Sequence, residues 1–348
     1  MTQTNPGNPN ITQNLIPFAQ AMLSRRALLL SLATKPPIGI GFIGTSHSHG
    51  PAKVDTVLAN PAFQLVGLTE PTPKHKDIPI LSKQALLNHP GVQVVAVESA
   101  VRDHARDGLA VLEAGKHLHL EKAPADNLKD FQKIVDLARR QNRILQIGYM
   151  WRYHPGINLA LDAAKQGWLG QVYLVRACIG NLLDDARRPE WAEFKGGNMF
   201  ELGGHVLDPV VRLLGRPRRV TPFLNKHGKF NDTLNDNTAA VLEFDSAIAI
   251  LHGSNLQPNS GRYRAFEVHG SNGVIIVNPI EPPAVTVDLA KPAGPFKAGS
   301  QQVPVPPYKR YVDDFIDLAA AIRGESKLRV TYDDDLLVQE ILLRASGM

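Results

Sequence analysis

Apolar and polar positions change their period along this chain, and the change divides it in two. From Ile38 short apolar runs alternate with stretches of helical period, the pattern of βαβ units that build a parallel sheet. IGIGFIG (38–44), FQLVGLT (63–69), VQVVAVES (92–99), HLHL (117–120) and ILQIGY (144–149) are the predicted strands. Helices are predicted from Pro51 to Leu58, from Arg106 to Ala114 with Gly115 as the stop, and from the capping residue Asn127 to about Arg140. In the last, Phe131, Ile134, Val135 and Ala138 fall at i, i+3, i+4 and i+7, one helix face.

After Trp151 the pattern is different. Pro155 suits a first helical turn and Gly167 an end, and a second helix is predicted from His205 to Leu214, stopped by Gly215. RVTPFL, TAAVLEF, AIAILHG, RAFEVHG, GVIIVN and AVTVDL then follow one another between about 219 and 290, joined by Gly, Asn and Asp. Strands this short and closely spaced predict a largely antiparallel sheet. The Pro-rich segment 291–307 is expected to be a loop, and Tyr311–Arg323 and Asp334–Arg344 two final helices.

A chain of 348 residues is long enough for two cores, because single cores stop growing at roughly 250–300 residues. The expected organisation is a leader over 1–35, one domain over 36–150 and a second over 151–348. No apolar run approaches the roughly 20 residues that span a bilayer. The single cysteine, Cys178, excludes an internal disulfide and a cysteine-rich zinc site, and reads as a small buried hydrophobe in the strand-like run QVYLVRAC. A net charge of +5 is spread along the chain without a nucleic-acid-binding signature, so it suits anionic small molecules better than nucleic acid. In the leader, Arg25-Arg26 followed by ALLLSLA resembles a short twin-arginine export signal without a cleavage site. A cytoplasmic location is expected, with export as the alternative.

Gly39, Gly41 and Gly44 spell G-x-G-x-x-G, but the first two lie inside an apolar strand. A phosphate-binding turn needs its glycines after the strand, where backbone N–H groups meet a pyrophosphate at a helix N-terminus. The better turn is Gly44-Thr45-Ser46-His47-Ser48-His49, with Ser46 and His49 at the second and third glycine positions. Glu70, ending the second strand, stands where a carboxylate accepts hydrogen bonds from an adenosine ribose and disfavours a 2′-phosphate. Lys74, His75 and Lys76 are placed to receive that phosphate instead, so NAD is favoured and NADP stays open. His47 and His49 lack partners at metal-ligand spacing, and no metal site is expected.

Three further segments resemble the glucose-fructose oxidoreductase / inositol dehydrogenase / rhizopine-catabolism (Gfo/Idh/MocA) family: AGKHLHLEKAP (114–124), Tyr149-Met-Trp151-Arg152-Tyr153-His154-Pro155, and GGNMFELGGHVLD (196–208). Their order and spacing agree with the family, and the similarity extends over about 36–346. The resemblance implies an α/β protein, with an N-terminal Rossmann dinucleotide-binding domain and a C-terminal α/β domain whose open, largely antiparallel sheet forms dimers or tetramers. It implies a cofactor site of Gly44, Thr45, Ser46, His47, Ser48, Glu70, Ser99, His104, Glu121 and Lys122. The implied catalytic group is His205 as proton acceptor or donor, Lys122 beside the nicotinamide, and Glu201 and Asp208 in support; Arg152 and Tyr153 join His205 in contacting substrate. Three departures stand out: Ala123 intervenes between Lys122 and Pro124, Glu201 replaces the usual aspartate, and the phosphate loop lacks two glycines.

This chemistry is coherent on its own terms. Taking a hydride from an alcohol carbon requires its hydroxyl proton to leave too, and an imidazole suits that transfer near neutral pH. Glu201 and His205, four apart, align if the segment is helical. The expected function is NAD(P)-dependent oxidation or reduction of a secondary alcohol of a sugar, cyclitol or derivative. Two alternatives remain: a tightly held cofactor recycled within each turnover, and a non-catalytic ligand sensor or scaffold on the same fold.

Overall fold

The structure, a computed structural model, describes residues 35–45, 49–72 and 74–348. The Arg25-Arg26 leader and the loop residues Ser46, His47 and Ser48 lie outside the described residues. No described helix is long and apolar enough to cross a membrane.

The first half is βαβ throughout: β1 (Ile38–Ile43), α1 (Gly50–Leu58), β2 (Phe63–Leu68), α2 (Lys83–Asn88), β3 (Val94–Val97), α3 (Val101–Glu113), β4 (His117–Leu120), α4 (Leu128–Arg140) and β5 (Leu145–Ile147). The strands form a five-stranded sheet in the order β2-β1-β3-β4-β5, every pairing parallel. β1 and β3 are buried along their whole length, as strands covered by helices on both faces must be. The strand order reverses between β1 and β3, which opens a crevice beyond their carboxyl ends. Gly39 and Gly41 lie within β1, so the literal glycine motif is strand.

The second half contains α5 (Pro155–Lys165), β6 (Val172–Gly180), α6 (Arg188–Ala192), α7 (Asn198–Leu214), seven strands and two closing helices. The strands are β7 (Arg219–Asn225), β8 (Asn237–Glu243), β9 (Ile248–Ser254), β10 (Ala265–Gly270), β11 (Gly273–Val277), β12 (Val285–Leu289) and β13 (Gly299–Val303). With β6 they make an eight-stranded sheet, β13-β12-β11-β10-β6-β9-β8-β7, antiparallel except where β6 runs parallel to β9. β8 and β9 alternate buried and more exposed positions, because α7 covers one of their faces.

The chain then returns to the first sheet. α8 (Val312–Ile322) lays Phe315 against Phe63 of β2 and His119 of β4, with ring centroids 5.7 Å and 5.1 Å apart. Tyr332, opening α9 (Tyr332–Ala345), accepts the backbone N–H of Leu145 at 3.0 Å. Residues expected to belong to the second domain therefore cover the first.

Three expected boundaries differ. α3 starts at Val101 rather than Arg106, without a side-chain cap at Ala100 to announce it. The segment 291–307 includes the edge strand β13, whose polar GSQQV shows no alternation and which is held by backbone pairing to β12. α7 starts at Asn198 rather than His205. Gly203 and Gly204 weaken the helical pattern, yet both are packing positions. A Cβ on Gly204 would sit 2.8 Å from the buried ring of Tyr149. Gly204→Ala should therefore destabilise the protein by about 1–3 kcal/mol despite alanine's better helix propensity. Thermal unfolding checks this, and a raised Tm would contradict it.

Candidate active site

Gly44 ends β1 with φ of +74°, and a side chain there would strike the Ser99 backbone at 2.6 Å. Its N–H donates to Thr69 Oγ1 at 2.9 Å, and the next N–H, of Thr45, donates to Glu70 Oε2 at 3.1 Å. The Glu70 carboxylate thus lies against the turn after β1. The close-approach glycine of this turn is Gly50, one residue beyond the expected position: its Cβ would come within 3.0 Å of Thr45 Cα. His49 is the N-cap of α1, and its side chain makes no hydrogen bond to the first turn; a helix N-terminus following a tight turn is suited to phosphate oxygens. The turn, the helix start and Glu70 fit a dinucleotide, for which Gly44 and Thr45 would lie by the pyrophosphate and Glu70 by the ribose.

The end of β4 delivers Glu121 and Lys122. Lys122 is buried; its Nζ donates to the backbone carbonyl of Glu201 at 2.9 Å and lies 3.6 Å from Oε2 of that residue. The Lys122–Ala123 peptide is cis. His104 anchors it, its ring nitrogens 2.7 Å from the Ala123 carbonyl and 2.9 Å from the Ser99 carbonyl. His104 is fully buried, so the structure makes it a tether for the lysine rather than a cofactor contact.

Glu121 is corrected in the same way. Its carboxylate is fully buried and holds Lys53 of α1 and, at 3.1 Å, His49 Nδ1. Lys53 also binds Glu98, at the end of β3, at 2.7 Å. Burial alone would depress Lys53, but the two carboxylates outweigh it and hold the amine above its ordinary range. Burial raises Glu98 to about 8 even against that neighbour. Sequence reasoning missed Lys53 and Glu98; the available signal was a lysine beside Val54 on the buried face of α1.

α7 supplies Glu201 and His205 on one face. Both are buried, and Glu201 Oε1 and both His205 ring nitrogens have no hydrogen-bond partner among the described residues. Burial drives His205 well below its usual range, helped by the charges of Lys122 and His49, so it is neutral at pH 7. Burial raises the Glu201 carboxyl against the pull of Lys122. The His205 ring lies among those of His49, Trp151 and Tyr149, at 5.9, 5.8 and 6.2 Å. It borders a cavity of about 480 Å³ whose wall includes His49, Met150, Asn181, Trp191, Leu202 and Tyr311.

Three residues expected at the chemistry are elsewhere. Asp208 makes no bond to His205: it accepts Arg152 Nε at 2.9 Å and lies 3.6 Å from Arg212. Arg152, expected to contact substrate, is buried between Asp208 and Asp335. Tyr153 donates to Asp317 at 2.5 Å. These groups lock the entry to the second half onto α7, α8 and α9, and their place in the aromatic segment after Tyr149 concealed that role. Among the described residues no cluster of His, Cys, Asp or Glu has the makings of a metal site.

A parallel-sheet domain with a crevice suited to a dinucleotide thus stands beside the buried group of His205, Lys122 and Glu201. Residues 38–149 match the oxidoreductase family with an NAD-binding Rossmann fold, and residues 158–276 match the GFO/IDH/MocA C-terminal domain. The chain belongs to the Gfo/Idh/MocA family. It is 21% identical over 196 residues to scyllo-inositol 2-dehydrogenase (NADP(+)) IolW of Bacillus subtilis (strain 168), covering 56% of this chain and 54% of that one. It is 24% identical over 261 residues to 1,5-anhydro-D-fructose reductase of Ensifer adhaerens, covering 73% and 77%. The alignment thus spans only about half of the first relative and three quarters of the second. The aldose-aldose oxidoreductase of Caulobacter crescentus shares the fold, with a TM-score of 0.76, 20% identity, and 90% and 98% of the two chains covered.

Because Arg152 neutralises two buried carboxylates, Arg152→Met should cost about 3–5 kcal/mol of stability and leave the substrate KM of the folded fraction unchanged. Urea unfolding and steady-state kinetics check this; a raised KM at full stability would restore Arg152 to the substrate site.

Proposed function

We propose that this protein is an NAD(P)-dependent dehydrogenase that moves a hydride between nicotinamide and a secondary alcohol carbon of a sugar, cyclitol or derivative. The observation that carries the reading is His205: buried, neutral, without a hydrogen-bond partner at either ring nitrogen among the described residues, bordering the cavity and near enough to Lys122 to feel its charge. Buried polar groups are nearly always paired, and those left unpaired in a cavity wall are placed for a ligand. The nicotinamide, when bound, supplies the hydride acceptor or donor. His205 takes the hydroxyl proton in oxidation and returns it in reduction. Lys122, fixed by Glu201, orients the substrate oxygen and stabilises the negative charge that grows on it. Glu201 sets the lysine's position through its carbonyl and carboxylate.

Cyclitol and anhydro-sugar activities in the names of the two relatives support the substrate class. Glu70 beside the turn supports NAD, while Lys74 and His75, which could have favoured a 2′-phosphate, are engaged by Asp55 at 3.0 Å and 2.5 Å. The open sheet face exposes Tyr173, Phe223, Ile248 and Ile250, which supports a homo-oligomer built through it.

His205→Asn should lower turnover by about 10²–10⁴-fold while leaving NAD(P) affinity intact. Equal losses in both would make it chiefly a cofactor-site residue. Lys122→Ala should abolish turnover in the fraction that stays folded despite the lost Glu201 contact, and full activity in that variant would sink the mechanism.

The pH profile gives an independent check. The base must be neutral, and a lowered pKa keeps His205 neutral to more acid pH than an ordinary imidazole. The acid limb of kcat/KM for alcohol oxidation should therefore lie below the ordinary value of 6.5. An acid limb above it would assign the proton transfer to another group.

A further inference from the structure

Four cationic side chains line the cavity that His205 borders: Arg187, Arg264, Lys309 and Arg310. Two carboxylates serve them. Glu281 is shared, gripped through both oxygens by Arg310, with Nε on Oε1 at 2.6 Å, and approached by Arg264 at 3.9 Å. Glu190 meets Arg187 at 3.4 Å. Asp55, an acid in the same wall, is already matched by Lys74 and His75. Lys309 is exposed and has no ion-pair partner among the described residues.

Two guanidinium groups around one carboxylate leave positive charge over. Arg264 registers the excess: burial depresses it, and the neighbouring Arg310 charge depresses it further. Its Nε and one terminal nitrogen are fixed on the Gly180 carbonyl at 3.2 Å and 3.0 Å, so the group is held in place. A neutral polyol needs acceptors as well as donors, whereas guanidinium and ammonium groups offer donors alone and match an oxyanion.

Building on the dehydrogenase reading above, we propose that the substrate is an anionic sugar or cyclitol derivative, whose carboxylate or phosphate is bound by Arg310, Arg264 and Lys309. Asn181 and Trp191, in the wall of the same cavity, offer an amide to the hydroxyls and a ring face to the sugar.

The test uses the purified full chain and a matched panel: D-glucuronate, D-galacturonate, D-gluconate and D-glucose 6-phosphate against glucose, galactose, glucitol and myo-inositol. Binding is measured by calorimetry with and without NAD⁺, and turnover with NAD⁺ and NADP⁺. At least one anion should bind about 100-fold more tightly than its neutral parent, with the advantage shrinking as salt rises. The carboxylate and phosphate members of the panel separate the two forms of the anion. Lys309→Gln, at an exposed position where folding is safe, should narrow the anion-to-neutral ratio about tenfold. Arg310→Gln should narrow it further.

Anion binding without any turnover would keep the anion site at Arg310, Arg264 and Lys309 and sink the dehydrogenase reading, leaving the anion a ligand rather than a substrate. Neutral parents turned over as efficiently as anions would do the reverse. If no anion of the panel binds, the proposal falls. It also falls if Lys309→Gln weakens NAD⁺ alone and leaves the sugar ratio unchanged, which would assign the excess charge to the cofactor's phosphates.

Discussion

An amine taken out of water must find oxygen ligands, and Lys122 finds them on the far side of the junction between the two sheets. It leaves the carboxyl end of β4 and reaches the carbonyl and carboxylate of Glu201 in the first turn of α7. That contact brings the end of a parallel strand and the opening of a helix from the other half to one point. His205, four residues further along α7, borders the cavity. Losing the contact would leave a buried lysine without a charged partner and a buried carboxyl without its cation, a cost of several kcal/mol that keeps the two halves in one arrangement.

Behind this contact lies a second layer of charge. Lys53 is shared by Glu98 and Glu121, the residues that end β3 and β4, so the carboxyl ends of two adjacent strands are pinned to the first helix. Glu121 in turn holds His49, and His104 ties the Lys122–Ala123 peptide to Ser99. None of these groups needs to meet substrate to matter. They fix where Lys122 emerges, and a displacement of about 1 Å at such a point costs on the order of 10²-fold in rate. Arg152, between Asp208 and Asp335, performs the equivalent service where the chain enters its second half.

The buried site and the cavity wall use charge in opposite ways. Around Lys53, Lys122 and Arg152 each cation is closely matched by carboxylates, and the groups serve as structure. Around Arg264, Lys309 and Arg310 the match is incomplete. The difference follows solvent access: a dry interior penalises an unmatched charge heavily, whereas a wet cavity leaves one available for a ligand.

Much of this protein was legible in its residues because periodicity and motif spacing are local. The five parallel strands, the amphipathic α4 and the run of short strands after residue 219 all follow from neighbours a few positions apart, and motif spacing singled out Gly44, Lys122, Glu201 and His205 as candidates. The true start of α7 was hidden, since Gly203 and Gly204 look like breakers until Met199 and Tyr149 are seen to occupy the space their side chains would need. β13 was hidden because backbone pairing to β12, not side-chain pattern, makes it a strand. The roles of Arg152, Asp208, Glu121 and His104 were decided only by tertiary structure. A charged residue beside a catalytic motif looks like a participant in one dimension. Whether it faces substrate or a buried counter-charge depends on partners outside its own segment, such as Lys53 for Glu121 and Asp335 for Arg152, and only the folded chain brings them into contact.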